Sequence, residues 1–327
     1  MPNTSFTTPA EDAGIFKEVR HFLEKTTDPD APAIEELTPA DARKVLRDLQ
    51  ASVNLTLHGI EESESLVLQD EIPVNIHIVK PEGSKGLLPV FLFIHGGGWV
   101  LGDYPTHRRL VRDIVVQSGA VAVFPDYSPS PEAKYPVAIN QIYNLAKWLA
   151  DKGNEVGIDG SRLVIVGNSV GGNMSTVVTM MSKDRQGPVI KGQVLLWPVT
   201  DADFGTESYK LFAEGRFLTR NMMKWFWSNY IENPADRKDK YASPLQASLD
   251  ELKGLPPALI QTAENDVLRD EAEAYARKLD QAGVEVILTR YQGMIHDFGM
   301  LNPLGHLPAT KAAVSQIAGF LKEKLFE

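Results

Sequence analysis

Six consecutive residues, Gly167-Asn168-Ser169-Val170-Gly171-Gly172, place a serine between glycines two positions to either side. They follow an apolar run, Leu163 to Val166, and lead into a helical pattern. A strand-to-helix turn this tight holds its central serine in a strained conformation that exposes the hydroxyl as a nucleophile, and glycines are needed where side chains would collide. Upstream, His95-Gly96-Gly97-Gly98-Trp99 follows the run Val90 to Ile94 and presents unshielded backbone N–H groups, which suit a developing oxyanion. Downstream, Asp266 lies just beyond Ala258 to Ile260, and His296 follows Val284 to Leu288. Catalytic and ligand-binding groups gather at such positions in open α/β sheets. Each piece taken singly has a plainer reading: a flexible glycine turn, a helix-capping aspartate, a structural histidine. Together they are the parts of an acyl-transfer site.

The elements that must position these residues are legible in outline. Ile15, Phe16, Val19, Phe22 and Leu23 recur at helical spacing, and Thr38, Pro39 and Asp41 form a strong start for a second helix. This N-terminal arm runs to about Thr56. From Ser65 the period changes to two, with Ile72, Val74, Ile76 and Ile78 alternating against polar neighbours; Pro73 within the run argues for a sheet edge. The later runs, including Val121 to Phe124 and Val194 to Trp197, are continuously apolar, as parallel strands covered on both faces should be. Helical patterns at Tyr135 to Ala150, Asn173 to Met181 and Asp270 to Ala282 alternate with them, which predicts a twisted, mostly parallel sheet. About sixty residues between Trp197 and Ala258 break the alternation, and Met222, Met223, Trp225, Phe226, Trp227, Tyr230 and Ile231 crowd into one stretch there that Thr219 could cap. Core packing and a substrate-facing lid both remain open for that stretch. An amphipathic helix with Val314, Ile317, Ala318, Leu321 and Leu325 on one face ends the chain.

Composition narrows the chemistry. The 327 residues carry 33 lysines and arginines against 43 acidic side chains, a formal charge of −10, with 43% hydrophobic and 23% charged positions. That is an ordinary globular composition, and its acidity disfavours nucleic acid as a partner. Cysteine is absent, so covalent catalysis must use another nucleophile. Met1 to Lys17 lacks the apolar core of a signal peptide and no run approaches 18 apolar residues, so we expect no membrane span and a cytoplasmic location. Other motifs fail. Asn173-Met174 stands where a P-loop needs Lys-Ser/Thr, Leu101 breaks a dinucleotide fingerprint begun by Gly96 and Gly98, and none of the seven histidines forms a metal-binding H-E-x-x-H. We expect no metal and no cofactor. Matches to N-x-S/T at Asn3, Asn54 and Asn173 are read as chance.

The order Ser169, Asp266, His296 is the one expected of α/β-hydrolases. The chain resembles their hormone-sensitive-lipase-like esterases, through His95-Gly96-Gly97-Gly98-Trp99, Asp126-Tyr127 with Pro131-Glu132, the Gly167 to Asn173 elbow, Asp266-Val267-Leu268-Arg269-Asp270-Glu271 and His296, over about residues 65 to 325. The resemblance implies an α/β-hydrolase fold of eight strands, the second antiparallel, with helices on both faces and a helical cap. It implies oxyanion donors at the N–H groups of Gly97, Gly98 and Val170, and carboxylic esters of short or medium acyl chain as substrates. Three departures stand out: Asn168 where the family usually has aspartate, Val170 where it has alanine, and Ser128-Pro129-Ser130 in place of a segment that includes an arginine.

We therefore expect a serine carboxylesterase working through an acyl-enzyme, with Ser169 as nucleophile, His296 as general base and acid, and Asp266 orienting the imidazole. Residues 1–60 would form an arm belonging to the cap, 61–200 the first part of the catalytic core, 201–245 a cap insertion and 246–327 the rest of the core. Trp99, Met222, Trp225 and Phe226 are candidate substrate contacts. A small-molecule ester is the expected partner, with a homodimer possible. The rival readings are an amidase or peptidase with the same triad and a non-catalytic ligand-binding relative.

Overall fold

The computed structural model describes residues 12–28, 30–69 and 72–327. Asn3 and most of the segment Met1 to Lys17 lie outside that range. Eight strands form one sheet: β1 (Ile60–Gln69), β2 (Ile72–Pro81), β3 (Leu88–Ile94), β4 (Val121–Asp126), β5 (Ile158–Asn168), β6 (Gly192–Leu196), β7 (Ala258–Asn265) and β8 (Val286–Ile295). Their spatial order is β1-β2-β4-β3-β5-β6-β7-β8. β2 runs antiparallel to both its neighbours, and every pairing from β4 through to β8 is parallel.

The helices are α1 (Lys17–Thr26), α2 (Pro39–Ala51), α3 (Tyr104–Ser118), α4 (Val137–Lys152), α5 (Val170–Asp184), α6 (Glu207–Leu211), α7 (Arg220–Tyr230), α8 (Leu249–Leu252), α9 (Arg269–Gln281) and α10 (Pro308–Phe326). α3 packs on α10, and α4 packs on α5, which is tied to α9 through the Thr176 and Tyr275 hydroxyls 2.7 Å apart. With helices on both faces, the central strands must be apolar throughout, and Val90, Phe91, Leu92, Phe93 and Ile94 of β3 are fully buried.

Four sequence expectations change. Pro73 does not mark a sheet edge: β2 is interior and β1 is the edge strand. Proline is tolerated because β2 pairs with β4 only over Asn75 to Val79, so Pro73 lies beyond that ladder. Ile15 and Phe16 precede α1 rather than belonging to it, because the Phe16 N–H is spent on the Gly293 carbonyl of β8. Strand β6 ends at Leu196, since Trp197 turns the chain with φ 38°. The last strand begins at Val286, not Val284, because the Val284 N–H bonds back to Leu279 and closes the end of α9. β8 then runs on to Ile295, which delivers His296 at its carboxyl end.

Caps behave as the sequence says. Thr38 accepts from the Asp41 N–H and opens α2, and Thr219 accepts from the Met222 N–H and opens α7. Asn173, which matches a glycosylation motif, is fully buried and donates to the carbonyls of Val199 and Ala242.

Candidate active site

Ser169 sits between β5 and α5 with φ 54° and ψ −120°, a conformation that non-glycine residues rarely adopt. Its N–H bonds the Leu196 carbonyl, which ties the turn to β6. The glycines around it are steric necessities. A Cβ on Gly171 would stand 2.0 Å from the Ile94 carbonyl oxygen, and one on Gly167 2.3 Å from the Gly171 carbonyl oxygen. Backbone thus meets backbone on both sides of the serine, and no rotamer change can relieve it.

The Ser169 hydroxyl donates to Nε2 of His296 across 3.0 Å, and Nδ1 of that imidazole donates to Oδ2 of Asp266 across 2.7 Å. The other Asp266 oxygen accepts from the Leu268 N–H at 2.9 Å, so the carboxylate is held at both ends. All three side chains are less than 5% exposed. Burial works against the imidazolium of His296, but the negative charges of Asp266 and Asp297 and the Asp266 hydrogen bond outweigh it, raising its pKa above the ordinary 6.5.

The glycine loop after β3 abuts the elbow: a Cβ on Gly96 would stand 2.8 Å from the Asn168 carbonyl oxygen. Gly97 and Gly98 have φ of 108° and 63°, and a Cβ on Gly97 would strike the Leu101 carbonyl at 2.4 Å. Val170 is the first residue of α5, where an N–H has no partner within the helix. Among the described residues, the N–H groups of Gly97, Gly98 and Val170 bond no protein acceptor. Such free donors beside a serine hydroxyl can receive an oxyanion.

Several braces hold that loop. Tyr127 stacks on His95, ring centroids 4.1 Å apart, and donates its hydroxyl to the His95 carbonyl. Arg43, from α2, donates to the carbonyls of Val100 and Ser130 and pairs with Glu132. Asn168 accepts from the Gly96 N–H at 2.9 Å and donates at 2.8 Å to Asp297.

The candidate substrate contacts separate. The Trp99 indole stacks on Tyr230 at 4.1 Å and meets Trp227 edge-on, so it is packed into an aromatic cluster, 1% exposed. Phe226 covers the glycine loop so closely that a Cβ on Gly98 would fall 2.1 Å from its ring. Met222 and Trp225 are half-buried beside it. The aromatic stretch packs into the core through Trp227 and Tyr230, and its Phe226 lies against Gly98 of the glycine loop.

Sequence reasoning passed over Arg43, Trp197 and Asp297. Only Asp297 carried a signal, as a carboxylate adjacent to His296 in an apolar surrounding.

The fold and this constellation define a class, the α/β-hydrolases with a serine elbow. A family model described as the α/β hydrolase fold matches residues 91–300. Carboxylesterase NlhH of Mycobacterium tuberculosis is 35% identical over 289 residues, 87% of this chain and 89% of that protein. An ethyl acetate hydrolase of Pseudomonas putida is 33% identical over 237 residues, 72% of this chain and 74% of that one. A crystal structure of a thermostable Pseudomonas putida esterase superposes with TM-score 0.95 at 55% identity, covering 96% of this chain and 98% of that one. The chain belongs to the α/β-hydrolase family, in its hormone-sensitive-lipase-like branch of esterases, and is a carboxylic ester hydrolase.

Proposed function

We propose that Ser169 is the nucleophile of a cofactor-independent esterase that cleaves small carboxylic esters through an acyl-enzyme. His296 Nε2 takes the hydroxyl proton as Ser169 Oγ bonds to the carbonyl carbon. The tetrahedral oxyanion is received by the N–H groups of Gly97, Gly98 and Val170, each donor being worth about 3 kcal/mol in such sites. Collapse breaks the bond to the alkoxide, which leaves with the proton carried by His296. Water then attacks the acyl-enzyme by the same route, and the acid departs. Asp266 holds the imidazole in the tautomer that can accept the serine proton.

The observation that carries this reading is the continuous hydrogen-bonded row from Ser169 through His296 to Asp266. Ser169→Ala should lower kcat on p-nitrophenyl acetate by roughly a millionfold with the melting temperature retained. Ester cleavage surviving in that variant would exclude the mechanism. The matching anilides, cleaved at comparable rates, would instead make the protein an amidase.

Short acyl groups fit best. Phe226 closes over Gly98, and Ser169 is only 4% exposed. A relative named for ethyl acetate hydrolysis points the same way. In this reading the arm and the segment at 201–245 are the cap, and rates across an ester series from acetate to decanoate should collapse at medium length. Among the described residues no helix is long and apolar enough to cross a membrane.

A further inference from the structure

Asp297 is a buried carboxylate that the triad does not use. It follows His296 directly, is 5% exposed and has φ 59°. This left-handed backbone is stabilised by the Met300 and Leu301 N–H groups, both bonded to the Asp297 carbonyl. Its Oδ1 accepts from Asn168 Nδ2 at 2.8 Å and from the indole N–H of Trp197 at 2.5 Å. Oδ2 makes neither of these bonds and lies 3.7 Å from Nε2 of His296. That nitrogen is the one that carries the transferred proton.

We propose that Asp297 is a second carboxylate for the imidazolium of His296, a positioning residue held in place by Asn168 and Trp197. The cation formed during attack then lies between two negative charges, Asp266 at Nδ1 and Asp297 near Nε2. Asn168 explains why the arrangement is possible. An aspartate there, as in the family pattern, would set two carboxylates against each other at 2.8 Å; the amide instead donates to Asp297 and accepts from Gly96. One amide thereby registers the oxyanion loop, the serine strand and the histidine loop.

Other titratable groups near His296 do not supply the charge. Glu271 and Tyr209, within electrostatic reach of Asp266, are fully buried, and burial raises both pKa values, which disfavours their charged forms. Glu264 is engaged by the Gly293 N–H, and the Arg109 guanidinium faces the carbonyls of Gly299 and Met300. The sign of the His296 shift agrees, with Asp297 contributing in the raising direction.

This inference rests on the triad reading, and its test is separate. Asp297→Asn keeps an acceptor for Asn168 and Trp197 and removes only the charge. The acid limb of kcat/KM should move down by about one pH unit, with plateau kcat about tenfold lower and KM within about twofold. A folded Asp297→Asn enzyme whose acid limb stays in place overturns the proposal and leaves the triad intact. Activity in Ser169→Ala would sink the triad instead. Should Asp297→Asn not fold, ¹⁵N titration of His296 in Asp266→Asn gives a second measure. With Asp297 as its one remaining carboxylate, the imidazole should keep a pKa well above that of buried His95; a midpoint as low as about 4, the value of His95, overturns the proposal.

Discussion

Gly171 is the smallest part of the site and among the least replaceable. Its hydrogen occupies space against the Ile94 carbonyl that no β-carbon can share. Gly171→Ala should therefore cost about 3 kcal/mol or more in unfolding free energy, read by urea titration, and should remove activity because β3 and the elbow must separate. A variant that melts like the parent would contradict the steric reading. Glu271 tests electrostatics at the same scale. Burial drives its pKa well above 4.5, although one oxygen accepts from the Thr200 and Asp201 N–H groups. A raised acid costs stability once pH rises above its unfolded value, so Glu271→Gln should raise the melting temperature at pH 8 and change it little at pH 4.

Among the elements, α2 works at a distance from its own place in the chain. Arg43 reaches 57 residues along the sequence to the Val100 carbonyl, at 2.7 Å, and also grips Ser130 and Glu132. The arm thereby braces the loop that bears Gly97 and Gly98. Gln50, on the same helix, donates to the Met300 carbonyl and accepts from the Asn302 N–H in the loop after His296. Arg43→Ala should lower kcat roughly tenfold with KM little changed, because the loss falls on oxyanion geometry rather than on substrate binding. Steady-state kinetics in which KM alone rises would assign α2 to the substrate pocket instead.

Over the whole molecule, pH acts through buried imidazoles. Desolvation lowers the pKa of His95 to about 4 and that of His107 to about 3, with the neighbouring His95 also depressing His107. Groups with depressed histidine values stabilise the fold above 6.5, and that contribution is lost as pH falls toward their folded values. For fully buried His95 alone it is on the order of 3 kcal/mol by pH 4. His296 runs the opposite way: its pKa is raised, so its contribution is complete below 6.5 and fades as pH climbs through the folded value. The melting temperature should fall steeply between pH 6.5 and 4, and His107→Asn should make that slope shallower. An equal slope in the variant would remove His107 from the acid response.

Short-range rules made the elbow, the glycine loop, the helix caps at Thr38 and Thr219 and the apolar central strands legible, because each depends on a few neighbouring residues. α3 was harder to see. Its buried face includes Thr106, His107 and Arg109, polar residues whose partners, such as Asn302 and the Gly299 and Met300 carbonyls, come from nearly 200 positions away. Pro73 misled for a related reason, since whether a strand lies at an edge depends on its neighbours in the sheet. The chain by itself determined which residue types could perform acyl transfer and the turns that present them. Only the tertiary structure decided that Ser169 meets an imidazole 127 positions downstream, that Arg43 braces the glycine loop, and that Asp297 faces Nε2. Those are distances in space, set by how the sheet brings its strand ends together, and local spacing along a polypeptide does not encode them.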